Sequence, residues 1–489
     1  MLARTSGFYP REGGEGMTRK NGWLQGILTL LAAFGLLLIP LGKAGSQERV
    51  TLNLDQLIQM ALEKSPELGQ AQQDLVMAES DLEQAKAARW PQLDALAVGG
   101  VVDAADRPIV VVSPRPGPGD RYLRGRIENP DDDPGNMGPF GRLELTVVQP
   151  LYTFGKISHR IDAALRGVNV QKAAKEKTRG DVILRVKELY FALLLAQQGK
   201  EAASDVESFV DDARKRIQKL ISLGSTSVDE SDLYRLEAYA AEAKRFKAKA
   251  DSGSKLAYLA LKQAIGFPAE KEFQLDVKEL PKDTRALGDQ RDYIQQALRQ
   301  RPELEQIDNG LEAKKSLVEA AKADMYPSIF LAGVASLAGA PNREHMDVSY
   351  IGDDFNHANG GVVLGAKWHF DLGIQQAKVS KARAEYEKLL HTREYAMRNI
   401  PLEVAKHYQD VLEHLHAFQA SEEAASASRK WVVVAFANFD MGVGQARDIF
   451  FAVERYGKNQ GDFLLSLLNY HLALARLSNA VAEYRGGVR

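Results

Sequence analysis

Cysteine is absent from the 489 residues. That excludes disulfides, thiolate zinc sites, cysteine nucleophiles and lipid attachment through a cysteine. Neither sign of charge is in excess: 63 Lys and Arg stand against 65 Asp and Glu, a formal charge of -2. Phosphate binding needs a clustered basic excess, so no nucleic-acid partner is expected. Long apolar runs are scarce. The single one is Leu24 to Leu41, and a mean hydropathy of -0.29 excludes a helical protein of many spans. Catalytic signatures are lacking too, with no GxSxG, no GxxxxGK followed by Ser or Thr, and no HExxH. Paired carboxylates occur throughout, but solvated helix faces account for them. Neither an enzyme nor a cofactor is expected.

The apolar run follows Arg19 and Lys20 and ends in Gly42, Ala44, Gly45 and Ser46. A basic region, an apolar core and a small-residue exit describe a secretory signal over residues 1–46, cleaved after Ala44 or Ser46. A membrane anchor is the competing reading, because the run approaches the minimum length of a span. Met17 is a second candidate start, just before the basic pair. Without a cysteine after the cleavage site, the mature chain is not expected to be a lipoprotein.

The rest of the chain is a duplication. Ile58-Gln59-Met60-Ala61-Leu62 with Pro66-Glu67-Leu68 returns as Ile294-Gln295-Gln296-Ala297-Leu298 with Pro302-Glu303-Leu304, 236 positions later. The same displacement relates Leu75 to Leu311, Glu83 to Glu319 and Trp90-Pro91 to Tyr326-Pro327. From Gly155 onward it becomes 218, relating Gly155 to Gly373, Ala164 to Ala382 and Gly224 to Gly442. The first copy therefore carries 18 extra residues (236 less 218) between Pro91 and Gly155. They fall in a stretch rich in Pro, Gly and Asp, which reads as an exposed loop at 103–140.

Each copy opens with a helical pattern, Leu54 to Arg89 and Tyr293 to Met325, that stops before Pro91 and Pro327. Strand-like runs follow, at about 92–102 and 141–152 in one copy and about 328–338 and 361–371 in the other. Apolar and polar residues alternate in Arg142 to Val147 and in Leu364 to Phe370. Four strands per chain are thus expected. Leu143, Leu145, Val147, Leu364, Ala366 and Trp368 lie on one face, and Arg142, Glu144, Lys367 and His369 on the other. Long stretches of good helix formers come next, to about Leu223 and from Ile374 to about Met441, each roughly 100 Å long. Gly180, Gly199 and Pro401 are candidate bends. Shorter helices close the copies, Val228 to Ile265 and Ala446 to Glu483. The domain plan is a signal over 1–46, a first repeat over 47–266, a linker over 267–289 and a second repeat over 290–489. The fold class is mainly α with a small β part.

Four alternating strands are too few for a closed barrel, and open edges cannot sit in lipid. Three chains would supply twelve strands, within the range of outer-membrane barrels. The competing reading is a soluble periplasmic coiled-coil scaffold or adaptor with a small sheet as its cap.

Ala61-Leu62 with Pro66-Glu67-Leu68, then Trp90-Pro91, Gln149 to Lys156 leading into Ala163-Ala164, and Gly442 to Ala452 follow in this order and spacing. In them the chain resembles the TolC family of outer-membrane efflux proteins over essentially its whole mature length. The resemblance implies a homotrimer whose twelve-stranded β-barrel crosses outer-membrane lipid and continues as a long α-helical barrel through the periplasm. It implies passive export, with a periplasmic adaptor and an inner-membrane pump of RND or ABC type as partners. Pro150, Gly155 and Gly373 mark the strand-to-helix turns, although the second copy lacks the Pro-Leu-Tyr step. The turns at Leu223, Gly224 and Ser225 and at Met441, Gly442, Val443 and Gly444 would meet the adaptor at the tunnel tip. The linker 267–289 would help form a belt around the tunnel.

Asp448 matches the first of two aspartates that follow the second tip turn in the family, and Phe451 stands at the second position. In a trimer, three Asp448 carboxylates would favour cations at the pore constriction, and three Phe451 rings would form an apolar ring. The competing reading makes Asp448 an N-terminal helix charge and packs Phe451 between helices. His407 and His414, with His391 and His416 nearby, lack the spacing of a metal site, as does the acidic turn Asn129 to Asn136. No metal is expected.

Overall fold

In the computed structural model the chain runs β1 (Val50–Leu52), α1 (Leu54–Lys64), α2 (Pro66–Ala87), β2 (Gln92–Asp103), β3 (Ile109–Val112), β4 (Gly125–Glu128), β5 (Met137–Tyr152), α3 (Lys156–Ser222) and α4 (Glu230–Ala264). It continues with β6 (Phe273–Leu275), α5 (Gln290–Gln300), α6 (Pro302–Ala323), β7 (Ser328–Gly339), β8 (His357–Lys367), α7 (Ile374–Asp440) and α8 (Ala446–Ala480). The structure describes residues 50–105, 109–112, 125–128, 137–225, 228–346, 350 and 352–486, with backbone alone for 109–112 and 125–128. The signal over 1–46, the acidic turn Asn129 to Asn136 and Thr226 of the first tip turn lie outside the described residues.

The duplication is visible in the element lengths. α3 and α7 have 67 residues each, and α4 and α8 have 35 each. α1 and α5 match at 11 residues, α2 and α6 at 22. The expected single opening helix of each copy is in fact two. Ser65 and Arg301 are extended, with φ of -62° and -64°, and Pro66 and Pro302 start new helices. Proline tolerates the first helical position because its missing N–H is unpaired there anyway, and it pushes the preceding residue out of helix. Ser65 completes the start by accepting the Leu68 N–H at 3.4 Å. Pro401, by contrast, lies within a continuous α7.

The sheet has the order β2-β5-β7-β8, antiparallel throughout, so β2 and β8 are its edges. β5 starts at Met137, earlier than the pattern suggested. β8 spans 357–367, not 361–371. It stops at Lys367 because the following residues serve other ends: the Trp368 indole donates to the Met325 carbonyl, and Asp371 accepts the Gly373 and Gln375 N–H groups to start α7. Two small sheets were not expected: β3 pairs β4 inside the 103–140 insertion, and β1 pairs β6 of the linker in parallel.

Apolar packing falls into four clusters. The largest joins α1, the β1–β6 pair, the middle of α3, the end of α4 and part of α8, with Leu57, Leu194, Leu261 and Leu467 nearly sealed. A second holds the tip-side halves of α3, α4, α7 and α8 around Ile217, Leu236 and Ile449. Smaller ones join α5, α7 and α8, and α2 with α3. The linker is held by polar contacts as well: Tyr470 accepts the Arg285 N–H, and His471 contacts the Pro281 carbonyl at 2.7 Å.

Candidate pore-forming sheet and tip

Residues directly opposite in neighbouring strands share a face. Three successive rows cross all four strands: Leu93, Val147, Gly333, Val362; Ala95, Leu145, Ala335, Gly360; and Ala97, Leu143, Leu337, Ala358. No polar side chain occurs among these twelve. The alternate rows hold Asp94, Thr146, Val334, Gly361; Leu96, Glu144, Ser336, Asn359; and Val98, Arg142, Ala338, His357. Over these rows one face is therefore an apolar band, with Asp103 and Gln149 of that face beyond its two ends, and the other face carries the charges, with Arg142 paired to Glu144. Leu143, Leu145, Val147 and Leu364 lie on the apolar face, and Lys367 on the other, as the alternation predicts. Trp368 and His369 belong to no strand. The apolar face is open in the single chain: Val362 is 73% exposed and Leu364 71%.

Exposed aromatics gather where the sheet meets the helices: Trp90, Tyr152, Phe154, Tyr326, Trp368 and Phe370. Phe154 packs edge-on to Tyr152 at 4.6 Å and stacks on Tyr326 at 5.5 Å. Such a girdle beside an apolar band is what a water–lipid boundary selects. The strand alternation concealed it, because all of these rings but Tyr152, the last residue of β5, fall outside the strands. Pro91 and Pro327 stand just before β2 and β7, after turns that end α2 and α6. Pro150 sits beside the one irregularity of the β5–β7 ladder. Gly155 and Gly373 precede α3 and α7 with φ of 94° and 125°, backbone that side chains resist.

The two tips are built alike. Gly224 and Gly442 have φ of 73° and 76°, and each turn closes with the same pair of bonds. Gly224 donates to Ile221 and Ser225 to Leu220; Gly442 donates to Phe439 and Val443 to Asn438. These are left-handed glycine caps that use the last carbonyls of the long helices. Leu223, Met441 and Val443 are large, apolar and exposed there, while Gly444 packs near the backbone of Phe439. Arg216 pairs with Asp440 and lies over the Phe436 ring at 4.9 Å, joining α3 to α7 above the turns. No sequence pattern pointed to that pair. Asp448, in the first turn of α8, accepts the Gln445 N–H at 3.1 Å. Phe451, one turn on, is 55% exposed in the protomer.

His407 lies within 3.5 Å of Asp410, and burial pushes its pKa below the usual histidine value. Among the described residues no three His, Asp or Glu side chains converge as a metal site would require, and no helix is long and apolar enough to cross a membrane.

The pattern of the family described as outer membrane efflux protein matches residues 122–266 and 293–483. "Outer membrane protein TolC" of Vibrio cholerae is 22% identical over 337 residues, 67% of this chain and 76% of that protein. The fold is similar to that of the outer-membrane channel OprN, at a TM-score of 0.69 and 19% identity, covering 88% of this chain and 89% of that one. It is similar also to the Neisseria gonorrhoeae MtrE outer membrane channel in its open state, at 0.67 and 18% identity, covering 88% of each. The matched segments make up more than half of the sequence, so the chain belongs to the outer membrane efflux protein family.

Proposed function

We propose that three copies of the chain join edge β8 to edge β2 and close a twelve-stranded barrel in the outer membrane of a Gram-negative cell. The observation that carries this is the combination of two free edges with an apolar band across all four strands on one face. Lipid tolerates such a face only if every edge is paired, and four strands cannot pair their own edges. The long helices continue the duct into the periplasm. Transport is passive conduction of cargo delivered by an inner-membrane pump, of RND or ABC type, through a periplasmic adaptor. The exposed Leu223, Met441 and Val443 support adaptor contact at the tip. So does the groove between α3, α4 and α8, a cavity of about 710 Å³ floored by small residues such as Gly199, Ala202 and Ala203. Family membership supports a duct rather than an enzyme.

Envelope fractionation with heated and unheated electrophoresis tests the proposal. A heat-resistant trimer in the outer-membrane fraction is expected. Recovery of the mature chain as a soluble periplasmic monomer would overturn it in favour of the scaffold reading.

A further inference from the structure

Loops between exposed antiparallel strands ordinarily run out into solvent. The β7–β8 connection does not. Its described limbs, Ala340–Met346 and Gly352–Asn356, fold back across the charged face of the sheet. The position of Asn342 shows this. Gly138 belongs to the same alternation as Phe140, Arg142 and Glu144, so a Cβ there would point to the charged face. Such a Cβ would fall 2.2 Å from Asn342 Cγ. The missing side chain of Gly138 is the seat of Asn342.

From that seat the outgoing limb crosses β5 and reaches edge strand β2. Asn342 Nδ2 donates to the Val102 carbonyl at 2.9 Å, Arg343 Nη1 to Asp103 at 2.8 Å and the Glu344 N–H to Ala105 at 2.9 Å. The returning limb lies on the same side. The Phe355 ring meets Phe140 edge-on at 5.4 Å, and the Arg343 guanidinium covers Phe355 at 4.0 Å. Asp353 ties the limbs by accepting the N–H groups of Met346, Phe355 and Asn356, and Asn356 accepts the Ala340 N–H. His357 bridges the Asp353 carbonyl and Ser336 Oγ, both contacts on the charged face.

We propose that this strap is a constriction at the outer mouth of the pore, latched by Asn342 on Gly138 and Phe355 on Phe140. The inference rests on the barrel reading, in which the charged face lines the lumen. Three straps then narrow the end of the duct away from the helices. The latch is built to release: Asn342 Oδ1 is buried without a donor, a cost that lifting the strap removes. Its other contacts are a few hydrogen bonds and one ring pair, all at the water-exposed end of the sheet.

Single-channel conductance of the purified protein in planar bilayers tests the latch. Asn342→Ala with Phe355→Ala should raise conductance by about 1.5-fold or more, because the narrowest section limits flow. Gly138→Ala removes nothing from the strap yet occupies the seat, and should act in the same direction. Unchanged conductance in both unlatched variants, with the trimer still heat-resistant, would overturn the proposal. A wild-type protein that forms no channel would overturn the barrel reading itself.

Discussion

Arg301→Met isolates the interaction that fastens the α5–α6 junction to two other helices. The Arg301 side chain is 8% exposed and holds Glu403 through bonds of 2.7 and 2.8 Å. Its Nε donates to the Ala480 carbonyl, the last of α8, at 2.5 Å. Breaking a fully buried ion pair costs about 3–5 kcal/mol, chiefly through the charge left stranded. Glu403 keeps nearly half of its side chain in water, so it is only partly stranded, and about 2 kcal/mol is the better figure. That is about 30-fold in a local opening equilibrium. Hydrogen exchange should show it as lost protection in Ala297–Leu304 and in the last turn of α8, with the tips unaffected. The effect depends on pH with a definite sign. The Arg301 bond holds the Glu403 carboxyl below its usual 4.5, against burial that acts upward. A depressed carboxyl contributes its stability above the unfolded pKa and loses it as pH falls through the folded one. The difference between wild type and variant should therefore be full at pH 7 and shrink below about pH 4.5. Protection unchanged within about twofold at both sites, or a difference as large at pH 3 as at pH 7, would refute the reasoning.

Gly224→Ala and Gly442→Ala should each destabilise a tip by about 1 kcal/mol, read as faster exchange in the last turn of the long helix. The cost is conformational alone, since a Cβ at either position meets nothing within 4 Å. Asp448→Asn should fray the start of α8 by about 0.5–1 kcal/mol and, if three Asp448 carboxylates line the pore, lower its cation selectivity in bilayers. Unchanged selectivity would leave Asp448 as a helix cap only. Gly180→Ala should lower thermal stability by about 1–3 kcal/mol, because its Cβ would stand 2.4 Å from the buried Tyr484 ring. Tyr484→Leu in the same background should recover part of that loss.

Much of the fold is written locally. The long helices follow from runs of good helix formers, and their ends from Gly155, Gly224, Gly373 and Gly442, whose positive φ only glycine supplies cheaply. Strand faces follow from period two. The helix breaks at Ser65-Pro66 and Arg301-Pro302 were signalled by proline after an extended residue, but the apolar periodicity runs through them and masks the signal. Other features have no local trace. The β1–β6 pair joins two three-residue strands more than 200 positions apart, too short to show alternation. Arg301 meets Glu403 only after the second repeat has folded on itself, and Asn342 meets Val102 only after the two repeats have packed. Of the candidate site, the faces and tips were legible. The aromatic girdle and the strap were not, because the girdle collects residues from both copies and the strap sets a loop of the second copy on a strand of the first.

The two copies also show that position outlasts chemistry. Arg89 and Met325 correspond, each ending the turn before the strand, with a carbonyl the helix no longer uses. In the first copy Gln149 Nε2 donates to Arg89 at 2.9 Å; in the second the Trp368 indole donates to Met325 at 3.0 Å. An exposed carbonyl can turn to water, but on the barrel reading these two sit at the lipid boundary, where an internal donor gains value. Gln149 fits where Pro150 and Tyr152 prolong the strand. Trp368 fits where the strand ends early, and it adds a ring to the boundary while donating its N–H. The missing Pro-Leu-Tyr step of the second copy is thus offset by one residue that does two jobs. Trp368→Phe would keep the ring and strand the Met325 carbonyl, whereas Trp368→Gln would keep the donor and thin the girdle. The two losses are separable only because the copies solve one hydrogen-bonding problem with different side chains.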